Sequence, residues 1–481
     1  MVKEKKGHRR VDREGNISFR RQPLEVLGHQ IQLGIQTYLQ IKENQKQNNR
    51  DILLEDFKTT EELRFPEAII DESTGQPSNT LRKTHDRILQ KIGITLDNYS
   101  SIDSFDFKAY SSHAFRYFRN NFGIKDTDYS ASIGKEWKET GQKLIPLSNP
   151  GASGSLFWKT QDDHLIIKTV QKNEYKFLKH LLPGYYLNIT QNPRTLLPKF
   201  LGMYRIQAGD KNIRVLVMNN LLPSSVPLGL KFDLKGSSHG RNASEKERSK
   251  KSPIYKCNDF RKMFSKNGIY LEDDLLSTLL QTIKNDCLVL ESFKIMDYSL
   301  LLAIYNIDEH KRSQLNSTTN KKTDAIADSN VTNEPLETSV HENETSEIQD
   351  TIEDQWITAS RSNMFHDKSK TKNKRVQKSF SYFTPITSIM KSESNVKRRL
   401  IKEQLNHYTG GIPAYLANGD RVLLYIGIID ILQDYRFIKW SEHFIKSIVY
   451  DGSAVSVTDP KVYKKRFVNF MQNDVFLCKI E

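Results

Sequence analysis

The stretch from Arg421 to Tyr435 constrains the fold more than any other part of the chain. It reads RVLLYIGIIDILQDY, and Val422 to Ile429 is a nearly unbroken apolar run with β-branched residues, which predicts a buried strand. Asp430 follows between two isoleucines, where an ionised carboxylate is costly unless a cation, a metal or good donors meet it. Two interpretations stay open at this point: a capping or turn aspartate at the strand's end, or a metal ligand presented at a cleft.

The charge and hydrophobic content of the chain limit its class. The 481 residues carry a formal net charge of +14, which suits nucleic acid, an anionic membrane surface or a phosphorylated substrate. No zinc-ligand spacing or RNP-like aromatic motif is present, so we expect no nucleic-acid partner. Hydrophobic residues make up 37% of the chain, which is low enough to predict that part of it is disordered.

The sequence has no feature of a membrane-spanning or secreted protein. No apolar run approaches the roughly 20 residues that cross a bilayer, and the first twenty residues are basic and polar rather than signal-like. Three cysteines, Cys257, Cys287 and Cys478, lie far apart and are odd in number, which argues for a reducing compartment. We therefore expect a soluble, intracellular protein whose membrane contact is peripheral.

A glycine- and serine-rich turn begins a segment suited to phosphate binding. SNPGASGSLFW, from Ser148 to Trp158, opens into a strand, and HLIIKTV, from His164 to Val170, predicts the next one. Exposed backbone amides in such a turn can hold phosphate oxygens, although many hairpins also carry two glycines. Lys168 ends the apolar run, and Glu174 follows in a helical stretch as its candidate ion-pair partner. Kinases hold the α- and β-phosphates with a glycine-rich hairpin and a strand lysine; the alternative is a lysine that reaches solvent from a strand edge.

Two further segments carry candidate binding residues. Ile213 to Leu222 predicts a strand ending in Asn219 and Asn220, which a nucleotide-binding interpretation makes the hinge beside adenine. In LKFDLKGSSHGR, Lys235 and Arg241 flank a Gly-Ser-Ser segment that can grip a phosphate by charge and by backbone N–H groups. An ordinary basic loop explains this second segment equally well.

The remaining periodic segments predict helices and one more strand. Helical spacing predicts an amphipathic helix from Pro23 to Gln40, a packed helix from Phe105 to Phe122 and a core helix from Leu275 to Phe293. KIMDYSLLLAIYNI, from Lys294 to Ile307, then places Asp297 immediately before a strand-like apolar run. Asp297 is thus a second carboxylate beside a strand, as Asp430 is.

A long stretch between residues 309 and 406 lacks the pattern of a folded core. Asp324 to Asp354 holds ten acidic residues and no lysine or arginine, whereas Arg361 to Lys402 holds twelve basic residues and two acidic ones. Such blocks predict a disordered insertion. The basic half could touch anionic lipid or be a solvated linker.

The ordered set of motifs resembles one known family. NPGASGS, IIKTV, NPRTLLPKF, VMNNLLP, FDLKGS, IMDYSLL, IIDIL and EHFIKSIVYDGSAVSVTDPKVYKKRF closely resemble the phosphatidylinositol phosphate kinases, over about Gly7–Leu39, Phe107–Asp308 and Gly410–Ile480. The resemblance implies an α+β, two-lobed, protein kinase-like fold with antiparallel sheets and ATP between the lobes. We expect a basic tail at 1–22, an N-terminal lobe at 23–222, a C-terminal lobe at 223–308 and 407–481, and the disordered insertion at 309–406.

The resemblance also implies an ATP- and Mg-dependent lipid kinase. By motif, Lys168 corresponds to the ATP lysine, Asp297 to the catalytic-loop aspartate and Asp430 to the aspartate that binds Mg, while Lys235 and Arg241 correspond to positions that hold the lipid's phosphate. The set expected to bind ATP is Gly151, Ser153, Gly154, Ser155, Lys168, Glu174, Asn219 and Asn220.

The loop after IIDIL distinguishes two classes within the family. Type I carries glutamate before histidine where type II carries alanine, and here the pair is Glu442-His443. The resemblance therefore implies a phosphatidylinositol 4-phosphate 5-kinase, with a phosphatidylinositol 5-phosphate 4-kinase or a catalytically weak membrane scaffold as alternatives. Apolar residues from Ile438 to Val449 recur at helical spacing with Lys439 interleaved, which suits an amphipathic helix at an anionic surface. We expect the protein to be cytoplasmic and peripheral at the inner face of the plasma membrane, with a homodimer left open.

Overall fold

The computed structural model describes the chain in twelve segments. These are residues 10–11, 17–19, 22–44, 50–65, 104–134, 144–147, 154–209, 211–224, 226–265, 267–314, 411–432 and 459–479. Short strands near the N-terminus, β1 (Arg10–Val11), β2 (Ile17–Phe19) and β3 (Gln22–Pro23), pair as a small antiparallel sheet. The region predicted as a basic tail therefore includes paired backbone.

The first large sheet has seven strands and is antiparallel throughout, in the order β4–β5–β9–β10–β8–β7–β6. Its strands are β4 (Thr60–Phe65), β5 (Phe105–Tyr110), β6 (Leu144–Pro146), β7 (Phe157–Thr160), β8 (Leu165–Val170), β9 (Phe200–Ala208) and β10 (Lys211–Asn219). The accompanying helices are α1 (Leu24–Asn44), α2 (Ser112–Asn121), α3 (Asp126–Gly134) and α4 (Lys172–Gln191), with a 3-10 turn at Leu54–Phe57.

Helix α1 packs against one face of this sheet, which confirms the amphipathic helix predicted from Pro23 to Gln40. Leu27, Ile31 and Ile35 recur at helical spacing and are fully buried in one cluster with residues of β5, β8, β9 and β10. At Gly34 a Cβ would collide with the ring of Phe107, so only glycine permits this close approach of helix and strand.

The helix predicted from Phe105 to Phe122 is wrong in its first half. Phe105, Phe107 and Ala109 alternate with less buried residues in β5, which is the two-residue period of a strand. Ser111 at φ 49° then turns the chain into α2. Aromatic side chains are buried on both elements: Phe105 and Phe107 on the strand, and Phe115 on the helix.

The second large sheet has the order β12–β11–β14–β16–β15–β13–β17. Its strands are β11 (Leu230–Leu234), β12 (Tyr255–Lys256), β13 (Ile269–Leu271), β14 (Ser299–Asn306), β15 (Ile412–Tyr415), β16 (Arg421–Ile429) and β17 (Phe476–Cys478). The helices in this part of the chain are α5 (Glu245–Arg248), α6 (Cys257–Phe264), α7 (Asp273–Ser292) and α8 (Pro460–Phe470), with a π-helical turn at Met471–Val475. Two pairings, β11 with β12 and β13 with β17, are parallel, and the others are antiparallel.

Helix α7 confirms the core helix predicted from Leu275 to Phe293. Leu279, Ile283, Cys287 and Leu290 lie on one side of it and are 0–1% exposed. They pack in a cluster that also holds the apolar side chains of β14 and β16, so this helix covers one face of the second sheet.

Each large sheet falls within the residues predicted for one lobe, and the mixture of helices with largely antiparallel sheets confirms the predicted α+β class. Residues 307–314 form a helix at the start of the predicted insertion, and 315–406 lie outside the described residues. All three cysteines are free thiols. Of the helices in the described segments, none combines the length and apolar content needed to cross a bilayer.

Candidate active site

Strand pairing brings Asp297 and Asp430 to the same edge of the second sheet. Strands β14 and β16 are antiparallel with Ser299 opposite Ile429. Asp297 lies two residues before Ser299 and Asp430 lies one residue after Ile429, so the start of one strand and the end of the other place both residues at the same edge. The two aspartates singled out from the sequence, separated by an insertion along the chain, are therefore neighbours in the fold.

Both aspartates have left-handed backbone conformations. Asp297 has φ 65° and Asp430 has φ 61°, values that L-residues other than Asn and Asp rarely adopt. Such a conformation costs on the order of 1 kcal/mol and persists where the surroundings impose it, which is common at functional sites. The unusual backbone at both positions supports a functional role for this edge of the sheet.

The burial expected for Asp430 is wrong. Val422 to Ile428 is buried as predicted, but the chain turns at the edge of the sheet and leaves Asp430 exposed. Within the described segments no hydrogen bond or ion pair engages its carboxylate. The cost of a buried charge therefore gives no reason to expect a metal at Asp430. The reason that remains is that the exposed carboxylate is accessible to a ligand.

Lys235 bonds directly to Asp297. Its Nζ donates to the carboxylate Oδ1 at 2.7 Å and to the backbone carbonyl at 2.6 Å. Lys235 follows β11, whose Leu234 lies opposite Leu300 of β14, so the sheet itself sets this contact. The sequence suggested a grip on the lipid phosphate for Lys235; the structure gives it a carboxylate partner at the candidate catalytic position.

Arg241 is held by Asp233, a residue of β11. Its Nη2 donates to the backbone carbonyl of Asp233 at 2.5 Å and to the Asp233 carboxylate at 3.0 Å, and the side chain is mostly buried. Lys235 and Arg241 are therefore both engaged with acidic partners around the FDLKGS motif.

Two residues that the sequence did not single out support this edge of the sheet. Asp233 holds Arg241, and Tyr463 of α8 donates from its hydroxyl to the backbone carbonyl of Tyr298, the residue after Asp297. The family-like motifs FDLKGS and DPKVYKKRF contain both residues, but nothing in their spacing reveals these contacts.

Lys168 and Glu174 form the ion pair predicted in the first sheet. Lys168 lies on β8 opposite Phe157 of β7, and its Nζ is 3.7 Å from Glu174 Oε1. Glu174 Oε2 also accepts from the backbone N of Gln171 at 2.6 Å, which fixes the carboxylate at the start of α4. Both side chains are largely buried, so the lysine is oriented before any ligand arrives.

The glycine-rich turn joins two paired strands. β6 and β7 are antiparallel, with Pro146 opposite Trp158, and the glycine-rich segment lies between them along the chain. Gly154 has φ 67°, a conformation open to glycine, and Ser155 is fully buried beside it. Gly151 and Ser153 lie outside the described residues.

The side chains of Asn219 and Asn220, at the predicted hinge, form hydrogen bonds with backbone groups of the protein. Asn219 Oδ1 accepts from the backbone N of Lys199 at 2.9 Å, and Asn220 Nδ2 donates to the Asp163 carbonyl at 2.9 Å. The backbone N of Asn220 donates to the His164 carbonyl at 2.8 Å. These contacts shape the connection between the sheets, and a role in adenine binding stays a prediction.

Comparison with known proteins decides the family. Residues 138–474 match the family model described as Phosphatidylinositol-4-phosphate 5-Kinase. The chain belongs to the phosphatidylinositol-4-phosphate 5-kinase family. The matched region contains every candidate site residue, from the glycine-rich turn to Glu442.

Several curated relatives in this kinase family are similar over most of the chain. Phosphatidylinositol 4-phosphate 5-kinase type-1 alpha of Rattus norvegicus is 41% identical over 476 residues, 99% of this chain and 72% of the relative. The type-1 sktl protein of Drosophila melanogaster is 40% identical over 480 residues, 98% of this chain and 55% of the relative. The type-1 beta protein of Homo sapiens is 40% identical over 427 residues, 89% of this chain and 64% of the relative.

The donors available in this family member suit one kind of metal. In the residues that the structure describes, no group of three or more His, Cys, Asp or Glu side chains could enclose an ion. Mg²⁺ does not need such a cage, because it is usually held by one or two carboxylates together with substrate phosphates and water. The exposed carboxylate of Asp430 fits that requirement. Lys439 and Glu442, the predicted lipid-specific residues of the kinase, lie outside the described residues.

Proposed function

We propose that the chain transfers the γ-phosphate of ATP to the 5-hydroxyl of phosphatidylinositol 4-phosphate, giving phosphatidylinositol 4,5-bisphosphate at a membrane. The observation that carries the proposal is the shared edge of the second sheet, where Lys235 bonds to Asp297 and Asp430 follows the neighbouring strand β16. The oriented Lys168–Glu174 pair of the first sheet supplies the element that a phosphate donor requires. Relatives named for this activity support the assignment.

Phosphoryl transfer needs little covalent chemistry from a protein and depends on positioning and on neutralising oxygen charge. Lys168, held by Glu174, places its ammonium where it can pair with phosphate oxygens of ATP. The glycine-rich turn before β7 offers backbone N–H groups to the same phosphates. Mg²⁺ bound to Asp430 and to the phosphates would supply further positive charge when present.

Asp297 is suited to receive the substrate hydroxyl. Its carboxylate can orient the 5-hydroxyl of the inositol ring and accept its proton as the new bond forms. The ammonium of Lys235, 2.7 Å away, keeps the carboxylate in place and adds positive charge beside the transferring group. Lys235 thereby holds the proposed catalytic aspartate. Its ammonium can also exchange one of its two hydrogen bonds to Asp297 for a bond to a phosphate oxygen.

Lipid selection is assigned to basic residues and to the loop after β16. Arg241 and Lys439 are proposed to meet the phosphate or the anionic surface, and Glu442 to select the 4-phosphate lipid. The net charge of +14 favours peripheral binding to anionic lipid, which at the inner face of the plasma membrane supplies both surface and substrate. A homodimer stays a prediction.

The test is ATP-dependent phosphorylation of phosphatidylcholine and phosphatidylserine vesicles carrying either the 4-phosphate or the 5-phosphate lipid. We expect wild type to act on the 4-phosphate lipid, Asp430→Asn to lose transfer, and Glu442→Ala to shift toward the 5-phosphate lipid. Asp128→Asn, an exposed carboxylate on α3, is the matched control and should keep full activity.

Two outcomes would overturn the proposal. A wild-type preference for the 5-phosphate lipid would assign the chain to the other substrate class. Vesicle binding without transfer to either lipid would indicate a membrane scaffold.

A further inference from the structure

A fully buried carboxylate on α7 binds a segment that belongs to the first-sheet half of the chain. Asp286 Oδ1 accepts from Thr195 Oγ1 at 2.6 Å and from Asn192 Nδ2 at 3.2 Å, and its Oδ2 accepts from the backbone N of Leu196 at 2.7 Å. All three donors lie within residues 192–196, between α4 and β9, and none carries a charge. Asp286 therefore ties the core helix under the second sheet to the segment that enters the first sheet.

Burial makes this arrangement costly. Removal from water raises the pKa of Asp286 to about 7, although its hydrogen bonds to Thr195 and Leu196 oppose the shift. An apolar side chain at the same place on α7 would avoid that cost. The carboxyl is best explained by the geometry it imposes on residues 192–196.

The same segment continues the contact to β16. The carbonyl of Leu196 accepts from the backbone N of Ile428 at 2.8 Å, and Ile428 is fully buried two residues before Asp430. The Leu196 residue thus donates to Asp286 with its N–H and accepts from β16 with its C=O. The path from Asp286 to Asp430 therefore passes through only three residues: Leu196 and Ile428 by hydrogen bonds, and then Ile429 along the chain.

Sheet topology shows why β16 needs this contact. Strand β15 pairs with the first half of β16, where Ile412 lies opposite Leu424, and does not reach the second half. Strand β14 continues on the other side as far as Ile429. Within the described residues, Leu196 supplies the hydrogen bond on the side of β16 that β15 leaves uncovered.

We propose that Asp286 is a positioning residue for Asp430, acting through residues 192–196 and Ile428. The proposal rests on the proposed function for the role of Asp430. Asp430 turns out of the strand with φ 61°, so the direction of its carboxylate depends on where the strand's last residues are held. A small displacement of such a group is enough to reduce transfer strongly.

The experiment changes Thr195, because loss of the carboxyl itself would release Asn192, Thr195 and Leu196 together. The Thr195 hydroxyl donates only one of the bonds to Asp286, and it also accepts two longer bonds, from the backbone N of Leu197 at 3.2 Å and from Asn188 Nδ2 at 3.4 Å. Thr195→Val keeps the shape and removes the hydroxyl donor, and Thr195→Ser restores the donor. Thr282→Val is the matched control: Thr282 is a buried residue of α7, the helix that carries Asp286, and its hydroxyl donates to the backbone carbonyl of Thr278 at 2.9 Å.

Two readouts separate positioning from general stability. Amide hydrogen exchange at Ile428 should be about tenfold faster in Thr195→Val than in wild type, and near wild type in Thr195→Ser and Thr282→Val. With the 4-phosphate lipid, kcat should fall about tenfold in Thr195→Val while KM for the lipid is unchanged, because the lipid contacts are not altered.

The exchange measurement needs no activity, so it tests the Asp286 connection even if the proposed lipid kinase function fails. Unchanged exchange at Ile428 in Thr195→Val would overturn the proposal. Equal effects in Thr282→Val, or faster exchange with unaltered kcat in an active enzyme, would also overturn it, since the contact would then be structural only.

Discussion

Lys235 and Asp297 form a two-point contact in which one ammonium donates both to the carboxylate and to the backbone carbonyl of the same residue, at 2.7 and 2.6 Å. A residue with φ 65° needs such restraint, because its backbone lies in a sparsely populated region. The contact links the FDLKGS and IMDYSLL motifs through two residues that lie 62 positions apart in the chain, and it makes the position of the candidate base dependent on a basic residue.

Replacing Lys235 should therefore reduce catalysis more than stability. Lys235→Met removes both hydrogen bonds to Asp297 and the positive charge, and we expect kcat to fall roughly 10- to 100-fold, in line with the loss of a charge-assisted hydrogen bond. Steady-state kinetics with 4-phosphate vesicles measure the effect. Lys231→Met is the control, since Lys231 lies on β11, the strand that Lys235 follows, and donates to Ser252 at 2.7 Å, away from Asp297. Equal losses in both variants would contradict this role for Lys235.

Asp430→Asn should abolish most transfer without unfolding the protein. The side chain is exposed, so its replacement removes no buried contact, and the melting temperature should stay close to that of wild type. Loss of one group that stabilises the transition state typically costs about 10²- to 10³-fold in kcat. Thermal unfolding and phosphate transfer measured on the same preparation check both expectations. A variant with full activity would show that Asp430 is a turn aspartate only.

The Lys168–Glu174 pair should govern nucleotide affinity. Glu174→Gln removes the charge that orients Lys168 and should raise KM for ATP about tenfold, whereas Lys168→Met should lower kcat/KM for ATP further. KM for the lipid should not change in either variant. Lys159→Met provides the control, because Lys159 lies on neighbouring β7 and pairs with Asp163 at 2.8 Å. A changed lipid KM with an unchanged ATP KM would refute the assignment.

The buried carboxyl of Asp286 should make stability depend on pH. Its pKa is about 7 in the folded protein, above the roughly 3.9 of an unfolded chain, so folding favours the protonated form. The contribution is fully present below about pH 4 and is lost as pH rises through about 7. Relative to Asp286→Asn, which cannot ionise, the wild-type unfolding free energy should therefore fall over this range. Urea unfolding of both proteins across the range measures the difference, with Asp128→Asn expected to follow wild type.

Much of the secondary structure could be predicted from local pattern. The apolar run from Val422 to Ile429 became β16 (Arg421–Ile429), because a continuous β-branched run between turn residues suits a strand covered on both faces. The stretch from Phe105 misled because aromatic residues close together fit either period. The two-residue alternation of burial, visible in the fold, decides for a strand.

The candidate residues of the site came from the sequence, because phosphoryl transfer requires lysines and aspartates of this kind wherever they lie; their catalytic roles stay predictions. The environment of each residue did not come from the sequence. The bond from Lys235 to Asp297 and the connection from Asp286 to Ile428 each join segments that are distant along the chain. The exposure of Asp430 likewise depends on where the folded chain turns at the edge of the sheet. Strand register and helix packing set these contacts, and they are properties of the assembled sheets that no local run of residues carries.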